Sequence, residues 1–343
     1  MHSGRRKLLL MAGAALLPIS RAHSQQSKSK RISLVLAPSN LGLRPTESGG
    51  EPGTWRAPEV LMAAGLERAV DAAEVVLLQR PTYEFGAQAG TRIRNGQSLR
   101  TFLLELSAKV RDVLDSHRFP LVIGGDCSVL LGGLYGLRLA GGRGLVHIDG
   151  HSDFSHPGNY DSAKILGAAA GMDLALASGR GEPTLTTWPK IDTPLAADAD
   201  IVQIGERNYR DPIFMRYYGD ILRTDITVLA VQSVLAEGID AAAKRVISKL
   251  AARSLDKVWM HVDLDVLDQA VMSAVDSAGS PGFNYSQLAA LISALRESGR
   301  IAGATVSIYD PERDPGTRFA RPIVECIAAG MRGPTDFSVS SLR

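Results

Sequence analysis

Apolar positions along the chain follow two spacings in turn. Short, nearly continuous runs of Val, Ile and Leu occur in "RISLVLAPS", "EVVLLQ", "FPLVIGG", "GRGLVHIDG", "DIVQIGE", "ITVLAVQSV", "KVWMHVDLDVL" and "RIAGATVSIYDP". Each reads as a strand. Between them lie segments with apolar residues three and four apart: "APEVLMAAGLERAVDAA", "QSLRTFLLELSAKVRDVLDS", "SVLLGGLYGLRLA", "AKILGAAAGMDLALASG", "IDAAAKRVISKLAARS" and "YSQLAALISALRES". These read as helices, and a last one surrounds Cys326 in "RPIVECIAAGM". The strand runs lack polar alternation, which suits strands buried on both faces of a parallel sheet. Strand and helix in regular succession predict a three-layer α/β/α sandwich. The interior shows no Pro/Gly/Ser-rich linker, repeat or low-complexity block, so residues 32–335 are expected to form one domain. The long loops, residues 41–56 and 80–97, are expected at the mouth of the site.

The N-terminus breaks this pattern. Arg5, Arg6 and Lys7 precede the apolar run Leu8 to Leu17, and Ala22-His23-Ser24 offers small residues for cleavage. Residues 1–24 read as a secretory signal, too short to span a membrane, with a partial match to the twin-arginine pattern. The expectation is export to the periplasm, with no stable membrane insertion after processing. Residues 25–31 are a polar, flexible lead-in. The whole chain of 343 residues carries a net charge of +2. Losing residues 1–24 removes four basic and no acidic residues and leaves about −2. Neither value provides a basic field for nucleic acid. An oxidising compartment would allow the two cysteines to pair. Cys326, inside an apolar helical run, reads instead as a small buried hydrophobe.

Three strand ends carry acids or metal-type donors. "HIDGHSDF" places Asp149, His151 and Asp153 at alternate positions, and "HVDLDVLD" does the same with Asp263 and Asp265. Alternate residues of an extended segment share a face, so each motif presents its donors together. The third strand end is "GGDCS", with Cys127. Taken singly, these motifs also suit a surface turn or a helix cap. Together, at the ends of apolar strands, they point to metal. Clustered carboxylates repel and are costly to bury without a cation. Oxygen-rich ligation with one imidazole favours an ion such as Mn²⁺. Asp126 and Asp268 are expected to fix turns. His117, His147 and His156 read as structural or exposed, and His261 as a group supporting the ligands.

"GGDCS", "DGHSD" and "HVDLDVLD" together resemble the three signatures of the ureohydrolase superfamily: arginase, agmatinase, formimidoylglutamase and their relatives. The resemblance implies a three-layer sandwich around a mainly parallel eight-stranded sheet, usually assembled as homotrimers or hexamers. It implies that Asp149 and Asp263 bridge two Mn²⁺ ions. Cys127 and Asp153 would complete one shell, and His151 and Asp265 the other. Two close divalent ions lower the pKa of water and supply hydroxide near neutral pH, for attack on the planar carbon of a guanidinium or amidine. Asp153 would steady the nucleophile and shuttle its proton.

The chain departs from that pattern at several points. Family members carry His where Cys127 stands, and a thiolate there favours Zn²⁺ or Fe²⁺. Ala170-Gly171 replaces a His-Gly, which removes a proton-shuttling imidazole. Ile308 in "SIYDP" stands where a Glu holds the guanidinium, leaving Asp310 or Glu312 as substitutes. Arg210 falls near an Asp that arginases use for the substrate's amino group, and a cation suits an acidic substrate better. The expectation is a binuclear-metal hydrolase of C–N bonds in linear amidines or guanidino compounds, with a substrate other than classical arginine. The alternatives are a true arginase or agmatinase, and a metal-binding pseudoenzyme on the same fold.

Overall fold

The computed structural model describes residues 30–332, apart from 209 and 213. The signal segment 1–24, the lead-in up to residue 29 and residues 333–335 lie outside the described residues. The strands are β1 (Ile32–Ala37), β2 (Glu74–Leu77), β3 (Phe119–Gly124), β4 (Leu145–Ile148), β5 (Ile201–Ile204), β6 (Thr227–Leu229), β7 (Val258–Asp263) and β8 (Ile301–Ser307). They form one eight-stranded sheet in the order β2-β1-β3-β8-β7-β4-β5-β6. Every pairing is parallel.

The pleat sends successive side chains to opposite faces, and each face has its own core. Leu34, Leu36, Leu121, Ile123, Val146 and Val262 join one apolar cluster. Val35, Ala37, Val122, Leu145 and Trp259 join the other, beneath the helices Gly96–Asp115, Val129–Leu139 and Asp173–Ala177. Burial on both faces explains the continuous apolar runs, and helices cover both sides as the sequence predicts. Among the described residues no helix is long and apolar enough to cross a membrane.

Three predicted elements differ. The helix expected over 57–73 splits into Ala57–Ala63 and Leu66–Ala69, because Gly65 adopts a left-handed φ of 94°. In "ITVLAVQSV" only Thr227–Leu229 is strand, and Val231–Glu237 is helix; a short apolar run fits either. Only Asp173–Ala177 of "AKILGAAAGMDLALASG" is α-helical. The stretch before it is anchored by distant loops: Arg94 N–H donates to the Gly167 carbonyl at 2.8 Å, and Ala170 N–H to that of Gly42 at 3.0 Å. Those tertiary bonds replace a helical ladder.

Candidate metal centre

Ligands in parallel sheets bind beyond the strand carboxyl ends, and here the ends of β3, β4, β7 and β8 meet. β3 stops at a tight turn. A Cβ on Gly125 would stand 1.8 Å from the Ser39 carbonyl oxygen, so only glycine fits there. Asp126 fixes the turn, accepting from Ser128 N–H at 3.0 Å and Ser39 Oγ at 3.0 Å. Asp268 plays the same part after β7, accepting from Ala270 and Gly282 N–H. Cys127 then enters the site, and its Sγ donates to Asp263 Oδ2 at 2.5 Å. Both cysteines are free and buried.

The carboxylates divide their oxygens between backbone and centre. Asp149 Oδ1 accepts from His151 N–H at 2.6 Å, while its buried Oδ2 has no hydrogen-bond partner. Asp263 Oδ1 accepts from Asp265 N–H at 2.7 Å, and Oδ2 faces Cys127. Asp265 Oδ1 accepts from Gly150 N–H at 3.0 Å, and Oδ2 lies 2.7 Å from His151 Nδ1. Asp153, at a left-handed φ of 41°, turns back toward the others. Ligand atoms of Asp149, His151 and Asp153 all lie within 4.8 Å of one another. The structure thus brings together all six residues singled out in the sequence: Cys127, Asp149, His151, Asp153, Asp263 and Asp265. Five of them, all but Asp149, line one cavity of about 450 Å³, together with Ile308.

The electrostatics are those of a site suited to a cation. Burial, then mutual repulsion among the acids, pushes Asp149, Asp153 and Asp263 well above the usual carboxylate range. Burial and Asp263 raise the Cys127 thiol in the same way. Burial also works to raise Asp265, but His151 and Arg207 outweigh it and hold that carboxyl low. Burial works to lower His151, but Asp265 carries it up to about 9. One imidazole, one thiol and four carboxylates converge with an unpartnered oxygen among them, a donor set that a pair of divalent ions would satisfy.

This charge pattern sets the pH response of the metal-free protein. A carboxyl raised in the folded state binds more protons than in the unfolded chain, so stability falls as pH rises toward its folded value. His151, also raised, loses its contribution between about 6.5 and about 9. His147 is lowered by burial to about 3, and His261 is lowered too; their gains are complete by about pH 6.5. Between pH 7 and 9 only the losses act. The melting temperature of chelator-treated protein is expected to fall across that range. Divalent ions, which displace the protons, should flatten the fall. A metal-free melting temperature that rises from pH 7 to 9 would contradict the charge assignment.

The family model for the arginase family matches residues 30–330. The chain belongs to the arginase family. The arginase of Bacillus caldovelox is 28% identical over 236 residues, 68% of this chain and 75% of its own. The solved structure of that arginase superimposes with a TM-score of 0.75 at 24% identity, covering 90% of this chain and 100% of its own. Formimidoylglutamase from Bacillus subtilis superimposes with a TM-score of 0.66 at 15% identity, covering 94% and 95%. Likeness at such low identity establishes a shared fold.

Against this family background the departures take physical form. Ala170 is buried and lines the cavity with Gly171, so no imidazole stands there. Ile308 also lines the cavity, 2% exposed. Its φ of 73° is an outlier for a β-branched residue, held by Ile308 N–H donating to the Gly125 carbonyl at 2.7 Å. Neither expected substitute reaches the cavity wall. Asp310 caps the turn Pro311–Arg313 and accepts from Glu312 N–H at 3.0 Å. Glu312 pairs with Arg56 at 3.3 Å on the surface. Arg210 is not among the lining residues; the cations that line the cavity are Arg44 and Arg216. Loop 41–56 supplies Leu43 and Arg44, whereas loop 80–97 supplies no lining residue and packs behind it through Arg80–Glu51 at 2.5 Å.

Sequence reasoning takes His261 as a group supporting the ligands and His147 as structural or exposed, and it misses Asp173 and Arg207. His147 and His261 lie in register on β4 and β7, with rings stacked at 5.2 Å. Asp173 reaches them from its helix, with Oδ1 at 3.2 Å from His147 Nε2. Arg207, 5% exposed, donates to the backbone carbonyls of Asp265 and Pro281 and steadies the segment that carries Asp265. One signal was available: each histidine stands two residues before a metal-type Asp, one pleat deeper on the same face.

Proposed function

We propose that this protein is a metal-dependent hydrolase of C–N bonds in guanidino or amidino compounds, acting on a substrate that carries an acidic group rather than on classical arginine. The convergence of Cys127, His151, Asp153, Asp263 and Asp265 on one cavity, with Asp149 buried beside them, carries this reading. We assign Asp149 and Asp263 to the place between two Mn²⁺ ions, with Zn²⁺ or Fe²⁺ as the alternative on the Cys127 side. Asp153, partly exposed in the cavity, is positioned to hold the nucleophile and pass its proton to the departing amine. Arg44 and Arg216 favour an anionic group at the mouth. The apolar Ile308 side chain offers a guanidinium no carboxylate at that point of the cavity wall.

The test is release of urea, ammonia or amine by metal-loaded protein over a panel of guanidino acids, formimino acids, agmatine and arginine. Turnover concentrated in the acidic compounds supports the proposal. Turnover of agmatine or arginine alone refutes the substrate class.

The proposal includes export through residues 1–24. Mature protein is expected to begin near Gln25 on N-terminal sequencing. Changing Arg5 and Arg6 to Lys should block export only if the twin-arginine route is used. Soluble cytoplasmic protein that keeps Met1 would reject export.

A further inference from the structure

We infer that the protein holds a second, structural metal site beneath the first, formed by His147, His261 and both oxygens of Asp173. Four observations carry it. First, the three residues lie fully buried on one face of the sheet, one pleat below the cavity, and none of them lines it. Second, both imidazoles turn Nε2 toward the same carboxylate. His147 Nε2 is 3.2 Å from Asp173 Oδ1, and His261 Nε2 is 3.6 Å from Asp173 Oδ2. His147 Nε2 is also 3.5 Å from Asp149 Oδ2. Donors held about 2.0–2.1 Å from a tetrahedral ion stand about 3.3 Å apart, so these separations match the edges of such a site. Third, the buried oxygen Asp173 Oδ2 has no hydrogen-bond partner, and both ion pairs of Asp173 are to imidazoles rather than to a lysine or arginine. Buried oxygens of this kind are costly unless a cation meets them. Fourth, ligand atoms of His147, Asp173 and His261 all fall within 4.8 Å of one another.

The donor chemistry separates this site from the one above it. Two imidazoles and one carboxylate, closed to the cavity, suit an ion such as Zn²⁺. The oxygen-rich cluster above suits Mn²⁺. An ion here ties β4 and β7 to the short helix Asp173–Ala177, whose preceding turn forms part of the cavity wall.

The experiment is anomalous diffraction from crystals of the full chain soaked with Zn²⁺ and Mn²⁺, recorded on both sides of the zinc edge. A zinc peak about 2.0–2.1 Å from His147 Nε2 and His261 Nε2 supports the inference. No peak between the two imidazoles overturns it, whether or not the upper cluster is filled. A peak at the imidazoles with none at His151 and Asp265 would instead sustain this site and defeat the catalytic reading. In solution, elemental analysis is expected to show one zinc fewer per chain in Asp173→Asn and in His261→Gln than in the unmodified protein. Equal zinc content in folded variants counts as refutation. Should either variant fail to fold, the diffraction result on the unmodified chain decides alone.

Discussion

Replacing Asp263 by Asn is expected to abolish hydrolysis and strip the cavity of its metal. Asp263 is the most constrained of the acids. Oδ1 is committed to Asp265 N–H at 2.7 Å, so Oδ2 alone, facing Cys127 Sγ, is available to an ion. An amide has one oxygen and no charge. If that oxygen stays on the Asp265 N–H, the Asn NH₂ group faces the thiol and an ion loses its donor. If the amide flips, the turn that carries Asp265 loses its anchor. Loss of a group that merely supports a ligand costs about 10–100-fold in metal affinity or activity. Loss of this carboxylate should exceed that range. The same change removes a buried group whose charged form is disfavoured. Metal-free Asp263→Asn protein is therefore expected to melt higher than the metal-free unmodified protein at neutral pH. Activity and melting temperature together distinguish a lost ligand from a lost fold. An active Asp263→Asn protein would remove Asp263 from the centre.

The second large effect concerns substrate choice. Arginine turnover by the unmodified protein is expected to be poor, and Ile308→Glu should improve it. Ile308 stands on the cavity wall where the family resemblance places a guanidinium-binding Glu, and Asp310 and Glu312 are both engaged elsewhere. A charged hydrogen bond contributes about 1.5–3 kcal/mol, so its absence weakens binding of a guanidinium by about ten- to hundredfold. The glutamate need not add strain, because the left-handed φ of 73° is already imposed on a β-branched residue and an unbranched side chain tolerates it no worse. The gain should appear for arginine and agmatine. Steady-state kinetics of both proteins on these two substrates measures it. Efficient arginine hydrolysis by the unmodified protein would refute the substrate reading and favour a true arginase.

Much of the fold was legible because the central strands of the sheet are buried on both faces, which leaves nearly continuous apolar runs there. The ligands were legible for a related reason: Asp149, His151 and Asp153, and Asp263 with Asp265, keep the alternate spacing of an extended chain where the apolar run ends. What stayed hidden depends on contacts distant in sequence. Gly167 and Ala170 bond to residues 94 and 42, and so the segment before Asp173 is not the helix its apolar spacing suggests. Arg44 comes from a loop and Arg216 from the helix Met215–Ile221, and only the folded chain places both at one cavity. His147 looks like an ordinary core residue, and its pairing with His261 emerges only when β4 and β7 are seen to be neighbours in register. Asp173 has the same history, as one acid in an otherwise apolar stretch that the fold turns toward both imidazoles.

The central claim is that the strand ends carrying Asp149 and Asp263 build a metal centre. Elemental analysis of purified protein, compared with a variant carrying both Asp149→Asn and Asp263→Asn, tests it most directly. The unmodified protein is expected to hold the two ions of this centre, and the double variant to lose both. Metal content in the double variant equal to that of the unmodified protein would contradict the account.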